Sequence, residues 1–100
     1  MGIVEDALRE EKIRNQQIRE AYAREIANLP RGSLTIKEIG SNRYCYLRFR
    51  EGEKVRLQYV GKAEAVEESL RNQIERRREL EALLKDLERD QKLIGKVIKD

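Results

Sequence analysis

The 100-residue sequence contains no histidine or tryptophan, a single cysteine, Cys45, and a single proline, Pro30. The lack of histidine excludes Ser-His-Asp and Cys-His catalytic arrangements and most zinc sites. One cysteine forms neither an internal disulfide nor a CxxC pair. The sequence also lacks the GxxxxGK[ST] and GxGxxG phosphate loops. We therefore expect a protein without enzymatic activity, metal or cofactor.

Long apolar runs are also missing, and none approaches the roughly 18 residues that a membrane-spanning helix needs. The first residues, Met-Gly-Ile-Val-Glu-Asp, lack the basic and apolar regions of a secretion signal, and no Asn-x-Ser/Thr sequon occurs. We expect a cytoplasmic protein that does not associate with membranes.

Charge is plentiful, at 41% of residues with a net charge of +3, and it is unevenly placed. Residues 1–29 carry 5 basic and 6 acidic side chains, residues 30–62 carry 8 and 3, and residues 63–100 carry 9 and 10. The positive charge is therefore concentrated in the middle of the chain, which indicates a local functional surface.

Two segments show the four-three spacing of apolar residues that is typical of amphipathic helices. The first predicts a helix over residues 3–29, because Pro30 disfavours helical geometry at Leu29 and cannot donate to the helical ladder. The second predicts a longer helix over residues 63–99, with acids in its first turns and lysines towards its end, as the helix dipole favours.

Polar residues interrupt these apolar seams, and four of them are candidates for a role in helix register, namely Asn15, Gln73, Arg77 and Gln91. Buried polar seam residues can fix helix register or oligomeric state. Equally, an intermittent seam would leave them in water. The sequence leaves both interpretations open.

The second predicted helix is longer than the first, and this difference bears on self-association. If the two helices pair antiparallel below the sheet, Ile94, Val97 and Ile98 extend past the end of the first helix. Each such side chain contributes on the order of 1.5–3 kcal/mol when buried. We therefore expect a homodimer or a dedicated partner, contacted by Leu84, Leu87, Ile94, Val97 and Ile98.

Residues 33–60 contain short alternating runs separated by Gly40-Ser41 and Glu51-Gly52, which predicts a three-stranded antiparallel meander. A two-residue Gly40-Ser41 loop in a type II′ turn sets apolar residues opposite each other, Ile36 with Cys45 and Leu34 with Leu47.

The second hairpin has two candidate registers. A two-residue loop around Glu51-Gly52 would set Phe49 opposite Lys54, whereas a three-residue loop aligns apolar residues with apolar residues, so we expect the latter. One face is then apolar, and we expect Cys45 to be a packing residue on it rather than a nucleophile. This face comprises Leu34, Ile36, Cys45, Leu47, Phe49, Val55, Leu57 and Tyr59.

The opposite face would carry five cations, two tyrosines and no acid. Arginine and lysine neutralise phosphates, and tyrosine stacks on unpaired bases. The same residue types are also ordinary on solvent-facing strands, where cations deter edge-to-edge aggregation. The candidate nucleic-acid-binding residues on this face are Lys37, Tyr44, Tyr46, Arg48, Arg50, Lys54, Arg56 and Gln58.

These patterns predict an α+β protein with one domain over residues 1–100. Its order is long helix, three-stranded antiparallel meander, long helix, with the helices forming an antiparallel hairpin or coiled coil capped by the small sheet.

Three stretches resemble a family of short prokaryotic proteins of unknown function. They are LPRGSL at residues 29–34, YCYLRFREGEKV at residues 44–55 and YVGK at residues 59–62, close to the patterns LPRGSL, YYYLxxREGxKV and YIGK. Cys45 departs from the aromatic residue of the pattern and Glu53 from a small one. The hairpin is also similar to small DNA-contacting sheets of transposase- and integrase-like proteins, which implies DNA rather than RNA as a ligand.

The sequence therefore predicts a non-enzymatic nucleic-acid-binding accessory protein. The alternative is a protein-interaction module, antitoxin-like or an inhibitor encoded by a mobile element, that binds a protein partner through its helices or sheet. A purely structural coiled-coil spacer would leave the positive charge of the sheet unexplained.

Overall fold

The computed structural model describes residues 2–98 of the chain. Its elements are α1 (Ile3–Ala27), β1 (Ser33–Ile39), β2 (Asn42–Glu51), β3 (Lys54–Lys62) and α2 (Ala63–Val97). This order confirms the predicted α+β layout. The first helix ends two residues before the prediction, β3 runs two residues further, and residue 99 of the second predicted helix lies outside the described residues.

The chain forms two compact units. A helical unit contains residues 2–28 and 79–98, and a sheet unit contains residues 29–78. The long helix α2 contributes to both, because its residues 63–78 belong to the sheet unit and the remainder belongs to the helical unit.

The sheet unit is built on an antiparallel sheet in the order β1-β2-β3. The first hairpin has the predicted register, with Leu34 opposite Leu47 and Ile36 opposite Cys45. Its loop is Gly40-Ser41, and Gly40 has a φ of 63°. A positive φ at the first loop position is the requirement of a type II′ turn, which glycine meets without strain.

The predicted three-residue loop in the second hairpin is wrong. Glu51 pairs with Lys54, so the loop is Gly52-Glu53 and Gly52 again has a φ of 63° in the first position. A shift of one residue moves every side chain of a strand to the other face. As a result, the side chains of β3 lie on the faces opposite to those predicted. The face of Tyr46 and Arg48 holds Val55, Leu57 and Tyr59, and the face of Cys45 and Leu47 holds Lys54, Arg56 and Gln58.

The position of the core explains this register. Cys45 and Leu47 of β2 are buried with Ala63, Leu70 and Ile74 of α2, and the half-buried residues around them are Leu34, Ile36, Phe49 and Val66. No side chain of β3 belongs to this cluster within the described residues. Because α2 covers β1 and β2 but not β3, apolar residues on β3 gain little from facing it.

The helical unit consists of α1 and the C-terminal part of α2, which bury Leu80, Ile94 and Ile98. Asn15 is 2% exposed, and its amide donates a hydrogen bond of 2.9 Å to the backbone carbonyl of Leu87. Its side-chain oxygen accepts one of 2.7 Å from Arg19 Nε. With both groups satisfied, burial of Asn15 between α1 and α2 costs little.

The other polar seam positions behave differently. Gln73 and Gln91 are exposed, as the wet-seam interpretation predicts. Arg77 is half-buried in the sheet unit and donates a 2.8 Å hydrogen bond to the carbonyl of Leu29. The wet-seam interpretation is therefore correct for Gln73 and Gln91, and a role of Asn15 in helix register stays a prediction.

The argument for a homodimer from helix length is wrong. Ile94 and Ile98 are 8% and 3% exposed within the single chain, and Leu84 and Leu87 are half-buried, so only Val97 is exposed among the five predicted interface residues. The reason is that the extra length of α2 lies in the sheet unit, which leaves residues 79–98 for α1 to cover. Self-association stays a prediction, now without that support.

Within residues 2–98, neither helix combines the length and the apolar character needed to cross a membrane.

Candidate nucleic-acid interface

The sheet has a covered face, which packs on α2, and an open face on the other side. The strand pairing places four cations, three tyrosines and no carboxylate on the open face. Its members are Ser33, Thr35, Lys37, Ile39, Asn42, Tyr44, Tyr46, Arg48, Arg50, Val55, Leu57, Tyr59 and Lys62.

Three tyrosines form the centre of the open face. Tyr46 lies directly across from Tyr59, with ring centroids 5.4 Å apart and planes tilted by 58°. Tyr44 contacts the same ring from the other side, at 6.2 Å and 56°. Tilted pairs at these distances are favourable aromatic contacts. Tyr59, which is 54% exposed, is the shared member of this tyrosine cluster.

A β-bulge places a cation beside the cluster. Tyr46 pairs with Tyr59 but the preceding residue, Cys45, pairs with Gly61, so Val60 is the extra residue of β3. The bulge restores alternation in such a way that Lys62 pairs with Tyr44 on the open face. Glycine suits the position opposite Cys45, because a Cβ on Gly61 would lie 3.0 Å from Val66 Cγ1.

Cations lie beside the tyrosine cluster, both in the cross-strand row of Tyr44 and further along β2. On one side, Lys37 lies across from Tyr44 and its ammonium is 4.9 Å from the ring centroid of Tyr46, a cation–π distance. On the other side, Arg48 and Arg50 extend from β2. The open face therefore has tyrosines at its centre, two lysines in the row of Tyr44 and two arginines further along β2.

The arginines of the two faces differ in their partners. On the covered face, Arg43 Nη1 is 3.3 Å from Glu67 Oε1, and Arg56 Nε is 3.7 Å from Glu51 Oε2. On the open face, Arg48, Arg50 and Lys62 form no ion pair with any carboxylate of residues 2–98. The charges of Arg48 and Arg50 are thus not offset by an ion pair, and Lys62 lines a cavity that Glu64 and Glu67 also line.

The structure brings five of the eight predicted binding residues together, namely Lys37, Tyr44, Tyr46, Arg48 and Arg50. It separates Lys54, Arg56 and Gln58 from them, because these three lie on the covered face of β3. The sequence argument missed Tyr59 and Lys62. A usable signal was present, since a Gly-first two-residue loop at Gly52-Glu53 matches the one at Gly40-Ser41.

Cys45 is fully buried in the core of the sheet unit, which confirms its packing role. Burial raises the pKa of the thiol above its ordinary value of 9.0, and the nearby carboxylate of Glu67 raises it further against the opposing charges of Arg43 and Arg71. A thiol in this state is a poor nucleophile. Within residues 2–98, no group of three or more carboxylate or cysteine side chains is arranged to hold a metal ion.

The sequence of the chain matches one protein family. Residues 8–72 match a family described as a domain of unknown function (DUF6788). The chain belongs to this family. The match includes every residue of the open face and most of α1, and it stops within α2. Comparisons with curated proteins and with solved structures gave no match. A family of unknown function was predicted, and the relation to transposase- and integrase-like sheets stays a prediction.

Proposed function

We propose that this protein is a non-enzymatic accessory protein that binds nucleic acid on the open face of its sheet. The observation that supports the proposal is the set of unpaired cations, Arg48, Arg50 and Lys62, around the tyrosine cluster. A phosphate backbone supplies negative charges at regular spacing, and protein cations that neutralise these charges release the counterions condensed on it.

The difference between the two faces strengthens the argument. Arg43 and Arg56 already contact carboxylates, so a phosphate would have to compete with Glu67 and Glu51 for them. Arg48 and Arg50 have no such competitor among residues 2–98. Phosphate contacts are therefore proposed for Lys37, Arg48, Arg50 and Lys62, with stacking or groove contact from the tyrosine cluster.

The test is a titration of labelled duplex DNA, single-stranded DNA and single-stranded RNA by fluorescence anisotropy at about 50 and 200 mM salt. If four cations meet phosphates, the log–log salt slope on duplex DNA is about −3 to −4. Affinity then falls about 100-fold between the two salt concentrations.

Two double variants with the same change in net charge make the test specific to the open face. Arg48→Ala with Arg50→Ala removes two unpaired cations, and we expect the duplex slope to become shallower by about 1.8. Arg43→Ala with Arg56→Ala removes two paired cations from the covered face, and we expect a much smaller change. Equal effects of the two double variants would contradict the proposal, as would the absence of salt-sensitive binding below about 10 μM.

A protein partner is the second candidate, and the exposed apolar residues of β3 favour it. Val55 and Leu57 are each 48% exposed on an edge strand that pairs only with β2 among the described residues. Exposed apolar edges are used to bind an added strand. If none of the three nucleic acids binds, this candidate replaces the first. Substitution of Leu57 by lysine should then abolish binding to a partner isolated by affinity capture.

A further inference from the structure

The tyrosine cluster narrows the class of nucleic acid that the open face suits. Along β2 the open-face residues run in the order Tyr44, Tyr46, Arg48, Arg50, and side chains on one face of a strand repeat about every 6.6 Å. The patch is therefore about 20 Å long. Its aromatic part lies at the Tyr44 end, where Lys37 and Lys62 pair with Tyr44 from the two neighbouring strands, and Arg48 and Arg50 follow it along β2.

The tyrosine part of the patch favours a ligand that offers a flat apolar surface. Tyr59 leaves more than half of its surface in water, and Leu57, the next open-face residue of β3, is 48% exposed. A phosphate or sugar would desolvate these side chains without an apolar contact in return, whereas a base has a π-face that stacks on a tyrosine ring.

Only an unpaired strand presents that face. In a duplex, each base is stacked on its neighbours, and a protein reaches base edges and phosphates rather than base faces. In a single strand, the bases turn outwards and stack on aromatic side chains while the phosphates meet nearby cations. Tyrosines with cations beside them on one sheet face match this second case.

We infer that the open face binds single-stranded nucleic acid, with bases stacked on Tyr59 and its neighbours and phosphates contacted by the flanking cations. This inference rests on the proposed nucleic-acid-binding function and specifies its ligand. Single-stranded DNA and RNA share the stacking and phosphate chemistry, so both are assigned to the site and are distinguished by experiment.

The experiment compares an oligothymidylate, an oligouridylate and a mixed-sequence DNA duplex, each about 20 units long, by anisotropy with the full chain. We expect either single strand to bind at least about 10-fold more tightly than the duplex. The ratio of affinities for the two single strands shows whether the site binds the DNA or the RNA strand more tightly.

Variants at Tyr59 isolate the stacking contact from the charge. Tyr59→Ala should weaken single-strand binding about 10-fold or more and leave the salt slope unchanged, because no phosphate contact is lost. Tyr59→Phe keeps the π-face and should restore binding. Thermal unfolding of both variants verifies the fold, which an exposed side chain influences little.

The outcomes separate this inference from the proposed function. Duplex binding equal to or tighter than single-strand binding would overturn the inference and leave the proposed function in place. Unchanged single-strand affinity in Tyr59→Ala would do the same. If none of the three probes shows salt-sensitive binding, both fail.

Discussion

The two faces of the sheet are made from the same strands and differ in what their side chains contact. On the covered face, Cys45 and Leu47 are buried against α2, and two arginines at its margin are paired with glutamates. On the open face, tyrosines contact each other, Val55 and Leu57 are half in water, and Arg48 and Arg50 are unpaired within residues 2–98. The covered face therefore contributes the packing that stabilises the sheet unit, and the open face carries the tyrosine cluster and the unpaired arginines.

This division indicates where substitutions should be costly. A buried residue of the covered face, such as Leu47, holds the sheet unit together, since its truncation leaves a cavity against α2. A residue of the open face can change with little loss of stability, and its effect should appear in binding. Three predictions test this comparison.

The largest effect on stability is expected from Gly32→Ala, at the start of β1. Gly32 has a φ of 101°, and a Cβ would lie 2.2 Å from the carbonyl oxygen of Arg48 on the neighbouring strand. The backbone would have to move apart, and we expect a loss of more than about 3 kcal/mol in the free energy of unfolding by urea.

Gly40→Ala is the matched control for Gly32→Ala. Gly40 also has a positive φ, of 63°, but a Cβ there meets no atom within 4 Å. We expect a conformational penalty of about 1–2 kcal/mol. Equal losses for the two variants would show that close approach at Gly32 does not matter.

The second prediction compares two leucines on opposite faces. Leu47 is 7% exposed on the covered face, and Leu57 is 48% exposed on the open face. We expect Leu47→Ala to lower the free energy of unfolding by about 3 kcal/mol and Leu57→Ala by less than about 1 kcal/mol. A similar loss in both would mean that the open face is covered in solution, by a second copy or a partner.

The smallest effect concerns Cys45 and pH. Because burial raises the pKa of this thiol above 9.0, the folded protein keeps its proton at pH values where the unfolded chain loses it. Its contribution is complete below pH 9 and falls as pH rises through the folded pKa, by up to about 1.4 kcal/mol per pH unit. The decline in stability above pH 9 should be shallower in Cys45→Ala, and identical slopes would contradict a protected thiol.

Sequence reasoning worked well where local rules decide the structure. The apolar spacing located both helices, Pro30 ended the first within two residues of the observed Ala27, and Gly40-Ser41 set the register of the first hairpin. In that hairpin, turn chemistry and apolar pairing favour the same register. The core residues of β1 and β2 followed directly.

It failed where two local rules disagreed. In the second hairpin, apolar pairing favoured a three-residue loop, while Gly52 at the first position of a two-residue loop favoured the observed register. The pairing rule assumed that all three strands are covered by a helix. Because α2 covers β1 and β2 only, Leu57 and Tyr59 could face water, and the turn decided the register.

The burial of Ile94 and Ile98 in the C-terminal part of α2 was also missed by local rules. Helix lengths were predicted closely, but which part of α2 meets α1 depends on where the sheet sits along it. Residues 63–78 pack with the sheet unit, so Ile94 and Ile98 are covered within the chain. Comparing lengths alone could not supply this assignment.

The sequence by itself determined the order of elements, the register of the first hairpin and the basic character of the middle segment, because these follow from periodicity, turn residues and composition. Tertiary structure decided which residues lie on the open face. Tyr59 and Lys62 lie there with Arg48 and Arg50, and Arg56 lies on the covered face. The physical reason is that a shift of one residue in strand pairing moves every side chain of β3 to the other face of the sheet. Which pairing is favoured depends on whether α2 covers β3.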